Sequence, residues 1–417
     1  MNRAAPDSKS PAVIFVFGGT PSRFVAMRRA PRRFVAIASL LGTVAAPAAA
    51  QRAARLDSIS PPALDSSVPR TAPLTHPTRG RRFYSNKSFG SEAQFNPLSE
   101  LVNEGFNDLV IESTDMKLFA QPYGAAWTNL WHNLTHVRAA VGLYGTRRLL
   151  RNELLPLSGF DGGQWLLNYT DHLIGNGMIS VRLEEWFTQH GYRAPLALSI
   201  ATMTGAHVLN EVIERPRALA VDPLADLLVF DPLGMLVFRS DWVQRAFSGR
   251  VRLTSWTGQP MLTFPTAAIE NANVEFVYSF PLARDDQWRG IVLTGLNVMG
   301  GVRRDLGRDR GLSFVAGRGS DVLRTTDSTT DTRTVTLGLR AGVYYDREGS
   351  LLASLLLDQS RGGLFVINVY PGNLRIGGTS PGLWLNVRRD GVRLGFAALT
   401  GLGVGFGRGS PEARPRP

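Results

Sequence analysis

Four residues, His172, Glu211, Glu214 and Asp226, carry the chemistry that this sequence could perform. They lie in apolar, helix-like sequence between Tyr169 and Gly234, together with Asp171, Asn176, Asn210, Asp222 and Asp231. An ionisable group among apolar neighbours is costly unless it pairs, binds an ion or reacts. Glu211 and Glu214 are three apart on one expected helix, so their carboxylates lie close and one should resist ionisation unless a cation or imidazole intervenes. His172 and Arg215 are the candidate intermediaries. As a reactive centre, His172 would serve as general base or ion ligand, with Glu211, Glu214 and Asp226 orienting or binding it. As a structural device, the same groups would form a hydrogen-bonded clamp between helices or against a sheet. The clamp is the leading expectation and catalysis the alternative.

Other motifs add little. There is no G-x-S-x-G, H-E-x-x-H or Walker A loop. Gly401-Leu-Gly403-Val-Gly405-Phe-Gly407 imitates a dinucleotide loop, but it continues a period-two strand. His132 and His136 share one helix face without an acid to complete a metal set, which predicts an ordinary polar surface. Thr170, Ser180, Ser199, Thr202 and Thr204 have no context that would mark a nucleophile. Neither a metal nor a cofactor is expected, and the chain has no cysteine for thiolate ligands.

The elements that must position these residues are of two kinds. From Tyr123 to Phe247 the spacing is helical, with Trp127, Trp131, Leu134 and Arg138 in register. Trp165–Asn176 reads as a helix ended by Gly175 and Gly177, followed by a second helix over Met178–Phe187. Pro195 suits the first turn of a helix through Val212, and Asp222-Pro223 the start of another over Leu224–Phe230. From about Gly249 the period becomes two. Thr334–Tyr345 alternates cleanly, as do Val274–Leu282, Ile291–Met299, Leu351–Leu357, Leu364–Tyr370, Leu383–Val387, Val392–Leu399 and Leu402–Phe406. Junctions such as Asp346-Arg347-Glu348-Gly349 and Arg389-Asp390-Gly391 predict tight hairpins.

The N-terminus sets the compartment. Arg28, Arg29, Arg32 and Arg33 precede a short apolar run ending in Ala48-Ala49-Ala50, the pattern of a cleaved secretory signal, with Met27 a plausible start. The net charge of +12 suggests nucleic acid, but residues 1–50 carry +6 and 51–95 carry +4, leaving only +2 on 96–417. Nucleic-acid binding is therefore not expected. The expected organisation is a signal peptide (1–50), a disordered Pro/Ser/Arg-rich linker (51–95), a helical polar-network module (96–247), an antiparallel barrel (248–408) and a disordered tail (409–417). Long strands with apolar-out, small-or-polar-in alternation predict an outer-membrane barrel of about 8–12 strands. Tyr278, Trp288, Tyr344, Tyr345, Tyr370 and Trp384 are candidates for interfacial girdles. The fold class is α+β, with the helical module packed in or against the barrel.

His172 followed by Gly175-Asn176, Asn210-Glu211-x-x-Glu214, then Asp226-Leu and Asp231-Pro-Leu-Gly234 resembles a bacterial family defined by domain of unknown function 3943. That family's pattern is a His-Pro-x-x-Gly segment, a Trp-Glu helix with a second Glu, and Ser-x-x-Asp-Leu-x-x-Thr-Pro-x-x-Gly. Here Leu173, Asn210, Pro223 and Asp231 replace the family's Pro, Trp, Ser and Thr. The resemblance spans about 65 residues and implies an outer-membrane location in a Gram-negative-type cell envelope, with no established activity. The expected function is that of an outer-membrane structural or interaction protein, its partners lipid and an unidentified envelope protein. A lipid- or lipopolysaccharide-modifying enzyme is the alternative, and a small-solute pore a third.

Overall fold

The computed structural model describes residues 80–111, 117–157, 165–214, 219–282, 287–327, 332–358, 363–374, 376, 379–398 and 403–409. The expected signal peptide, the linker to residue 79, Arg215 and the tail beyond Gly409 lie outside them. The linker expectation needs correction from Gly80 onward. Phe83, Tyr84 and Phe95 are buried in the main core, and Gly90–Gln94 is helical. Three consecutive backbone N–H groups, of Arg82, Phe83 and Tyr84, donate to the Glu185 carboxylate at 2.7–2.9 Å. Isolated aromatic anchors hold this stretch, so it carries no periodicity to read.

The helices form where caps and apolar spacing dictate. The Asn96 side chain accepts from the Leu98 and Ser99 amides at 3.0 Å and opens Pro97–Gly105. Pro195 opens the 20-residue helix Pro195–Glu214, which among the described residues is the one helix long and apolar enough to cross a membrane. The expected break at Gly175 and Gly177 is absent: Trp165–Leu167, the wider turns of Asn168–Asn176 and Gly177–Gln189 run on as one helix. Those glycines serve contact instead. A Cβ at Gly175 would collide with the Phe276 ring, and one at Gly234 would lie 2.6 Å from the Leu173 carbonyl. The helix carrying His172 therefore lies close against both the sheet and Asp231–Val237.

Thirteen strands form one curled, mixed sheet. They are β1 (Thr254–Thr257), β2 (Met261–Phe264), β3 (Ala268–Glu270), β4 (Val274–Pro281), β5 (Trp288–Thr294), β6 (Asn297–Asp305) and β7 (Arg310–Asp327). The remainder are β8 (Thr332–Arg347), β9 (Ser350–Asp358), β10 (Gly363–Val369), β11 (Gly382–Arg388), β12 (Gly391–Ala397) and β13 (Gly405–Arg408). Ile291–Met299, expected as one strand, is a hairpin between β5 and β6, turned at Gly295 with φ +125°. The sheet is also not wholly antiparallel, because β13 pairs with β2 in parallel.

The reason is geometric. β4 to β13 is a ten-stranded antiparallel meander, so its two edge strands run in opposite senses. β1 is antiparallel to β4, and β2 follows it after Gly258-Gln259-Pro260 in the same sense. One stretch of chain thus bonds to both edges, and must be antiparallel to one and parallel to the other.

The two faces differ sharply. Leu337, Leu339, Leu355, Leu357, Val392, Leu394, Phe396 and Phe406 are exposed on the convex side. Between them Arg340, Tyr344, Ser354, Asn368, Trp384 and Gly395 point inward and are buried. Opposite charges pair there: Arg303 meets Asp346 twice at 2.9–3.0 Å, Arg340 meets Asp358 at 3.0 Å, and Arg393 meets Glu270 at 2.7 Å. The girdle expectation is corrected for Tyr344, Tyr370 and Trp384, which face inward. Tyr344 stacks on Trp256 at 5.2 Å, and the Tyr370 hydroxyl donates to the Thr257 carbonyl at 3.1 Å. They line a cavity of about 140 Å³ together with Glu275 and Asn297.

Helices and sheet meet at Arg182. This residue is almost fully buried and donates to Glu92 Oε1 at 2.5 Å and to Ser255 Oγ of β1. Its guanidinium also covers the Phe95 ring at 3.7 Å. Breaking such a buried pair costs about 3–5 kcal/mol.

Candidate functional site

The helical runs bring all four sequence-nominated residues together. His172 comes from the wide-turned Asn168–Asn176 segment, Glu211 and Glu214 from Pro195–Glu214, and Asp226 from a second wide-turned segment, Asp226–Phe230. Wide turns shift a side chain off the regular helical spacing and recur at functional sites. His172 Nε2 lies 3.6 Å from Asp226 Oδ2. Donor atoms of Glu211, Glu214 and Asp222 all lie within 4.8 Å of one another.

Two residues not among the four complete the arrangement. Asp231 was visible in the sequence constellation without a role, and His207 was missed altogether. Asp231 accepts from His172 Nδ1 at 2.9 Å through one oxygen and pairs with His207 Nδ1 through the other. It thereby ties three helical segments together. The spacing His207-x-x-x-Glu211-x-x-Glu214 puts three polar groups on one helix face, a signal that could have found His207.

Electrostatics divides the cluster. Burial alone would raise the Asp231 carboxyl, but the rings of His207 and His172 overcome it and hold its pKa well below 3.8. For His172, burial opposes charge, yet Asp226 and Asp231 outweigh it and raise its pKa well above 6.5. At Asp226 burial wins, with Asp222 and Asp231 adding to it against the pull of His172, so its pKa stands well above 3.8. Nearby, burial lifts Glu100 from its ordinary 4.5 to about 7. Thr257 donates to Glu100 Oε1 at 3.2 Å, bringing the acid against β1.

The clamp is saturated at Asp231 and unsaturated elsewhere. Glu211 Oε2, Asp226 Oδ1 and His207 Nε2 are buried with no hydrogen-bond partner. Each such atom costs about 1–3 kcal/mol unless something meets it. Asn210 sits apart from this cluster, donating to Asn107 Oδ1 at 2.7 Å. His132 and His136 also sit apart, their rings stacked at 3.9 Å. No family model matches this chain, and comparison with curated proteins and with solved structures finds no match.

Proposed function

We propose that this is an outer-membrane protein whose curled sheet meets lipid with its convex face and whose helical cluster is internal to the fold. The observation that carries the reading is the inversion of polarity across the sheet. Leu355 and Leu394 are exposed, while the opposite face holds the Arg340–Asp358 and Arg393–Glu270 pairs. A soluble sheet buries its apolar face and wets its charged one; this sheet does the reverse. The expected export signal and the resemblance to the domain-of-unknown-function 3943 family support the same compartment. The role is structural or interactive, with lipid as the first partner.

The test is Leu355→Lys. A lysine on a lipid-facing strand costs about 2–4 kcal/mol near the bilayer midplane. Membrane-fraction yield should fall severalfold, whereas lysine at exposed Trp242 should leave it unchanged. Equal yields of both variants in the soluble fraction would sink the proposal. One observation favours the enzyme alternative: His172 keeps 21 % side-chain exposure beside sealed acids. That reading requires lipid turnover lost on His172→Asn with folding intact.

A further inference from the structure

Asp222, Asp226, Asp231, Glu211 and Glu214 gather around two imidazoles, His172 and His207. The donor atoms fall into two groups, each within 4.8 Å internally: His172, His207 and Asp231, and Glu211, Glu214 and Asp222. Asp226 joins them, with Oδ2 3.6 Å from His172 Nε2 and electrostatic contact with Glu211, Glu214 and Asp222.

A network built only for packing would satisfy its own atoms. Here Glu211 is 2 % exposed, His207 4 % and Asp226 6 %, and each has an unpartnered polar atom. Two ligands on opposite sides of one metal ion lie about 4 Å apart, so Glu211, Glu214 and Asp222, whose donor atoms lie within 4.8 Å of one another, need only a small inward shift. Asp231 already performs the orienting task found behind metal-bound histidines: it fixes both rings by their Nδ1 edges, with the His172 Nε2 facing Asp226 and the His207 Nε2 buried without a partner.

We propose that Glu211, Glu214, Asp222 and Asp226 hold a divalent metal ion, with His172, whose Nε2 adjoins Asp226, supplying nitrogen. A mixed carboxylate and imidazole set without thiolate suits Mn²⁺ or Zn²⁺. The site goes beyond the membrane reading and does not depend on it.

The experiment uses the full chain, purified from whichever fraction holds it, stripped with chelator and then incubated with Mn²⁺ or Zn²⁺. Elemental analysis should find at least one retained equivalent, and the melting temperature should rise with metal concentration. Glu211→Gln removes a charge at constant shape. It should melt no lower than wild type without metal and bind at least tenfold more weakly, while His132→Ala binds normally. Wild-type protein that retains neither metal, or Glu211→Gln that binds like wild type, overturns the proposal. Should Glu211→Gln fail to fold, Mn²⁺ paramagnetic resonance on wild type decides: a bound-ion spectrum supports the site, and free aqueous ion alone refutes it.

Discussion

The concave face of the sheet and the helical cluster both bury charge, but they settle it differently. On the sheet Arg303 finds Asp346, Arg340 finds Asp358 and Arg393 finds Glu270. Among the helices Asp231 alone takes both imidazoles, and Glu211 and Asp226 keep unpartnered oxygens. The difference separates two uses of buried polarity. Pairs that cancel locally specify packing, whereas buried polar atoms without a protein partner leave room for a ligand.

The comparison can be broken most directly on the sheet. Arg303→Ala strands Asp346 and should cost about 3–5 kcal/mol, read as a lowered melting temperature; a loss below about 1 kcal/mol would mean that the pairing is incidental. Within the cluster, Asp231→Asn weakens two charge-assisted bonds and should cost about 3 kcal/mol in the metal-free protein. A third measurement sharpens the contrast through pH. Glu100 has a folded pKa raised to about 7 by burial, so its folded form holds a proton that the unfolded form releases near 4.5. Its contribution is fully present below about 4.5 and is lost as pH rises to about 7. Glu100→Gln should flatten that segment of the stability profile. The smallest effect belongs to His132→Ala in the stacked, partly exposed histidine pair, within about 0.5 kcal/mol by melting.

Much of this arrangement was legible in the sequence. β8 to β12 could be read because alternation ran uninterrupted between breaks such as Glu348-Gly349, Arg361-Gly362 and Asp390-Gly391. β7 escaped because Gly317 and Gly319 interrupt its apolar pattern, and β1 to β3 because each is only three or four residues long. The β5–β6 turn carries Gly295-Leu296 in place of an Asn-Gly or Asp-Gly signal, so two strands read as one. His172, Glu211, Glu214 and Asp226 could be nominated because charge in apolar sequence needs a reason. Their division into a saturated and an unsaturated half could not, since it depends on which helices touch. His207 was hidden by its apolar helix, although its spacing to Glu211 was there to read.

The segment Thr254–Phe264 leaves the ribosome ahead of every strand of the meander that it fastens. β1 can zip onto β4 almost at once, but β2 has to wait for Gly405–Arg408. Both margins of the meander are therefore held by its oldest piece, and the last of these pairings needs its youngest, so a chain cut before Gly405 would leave one edge of β2 bare.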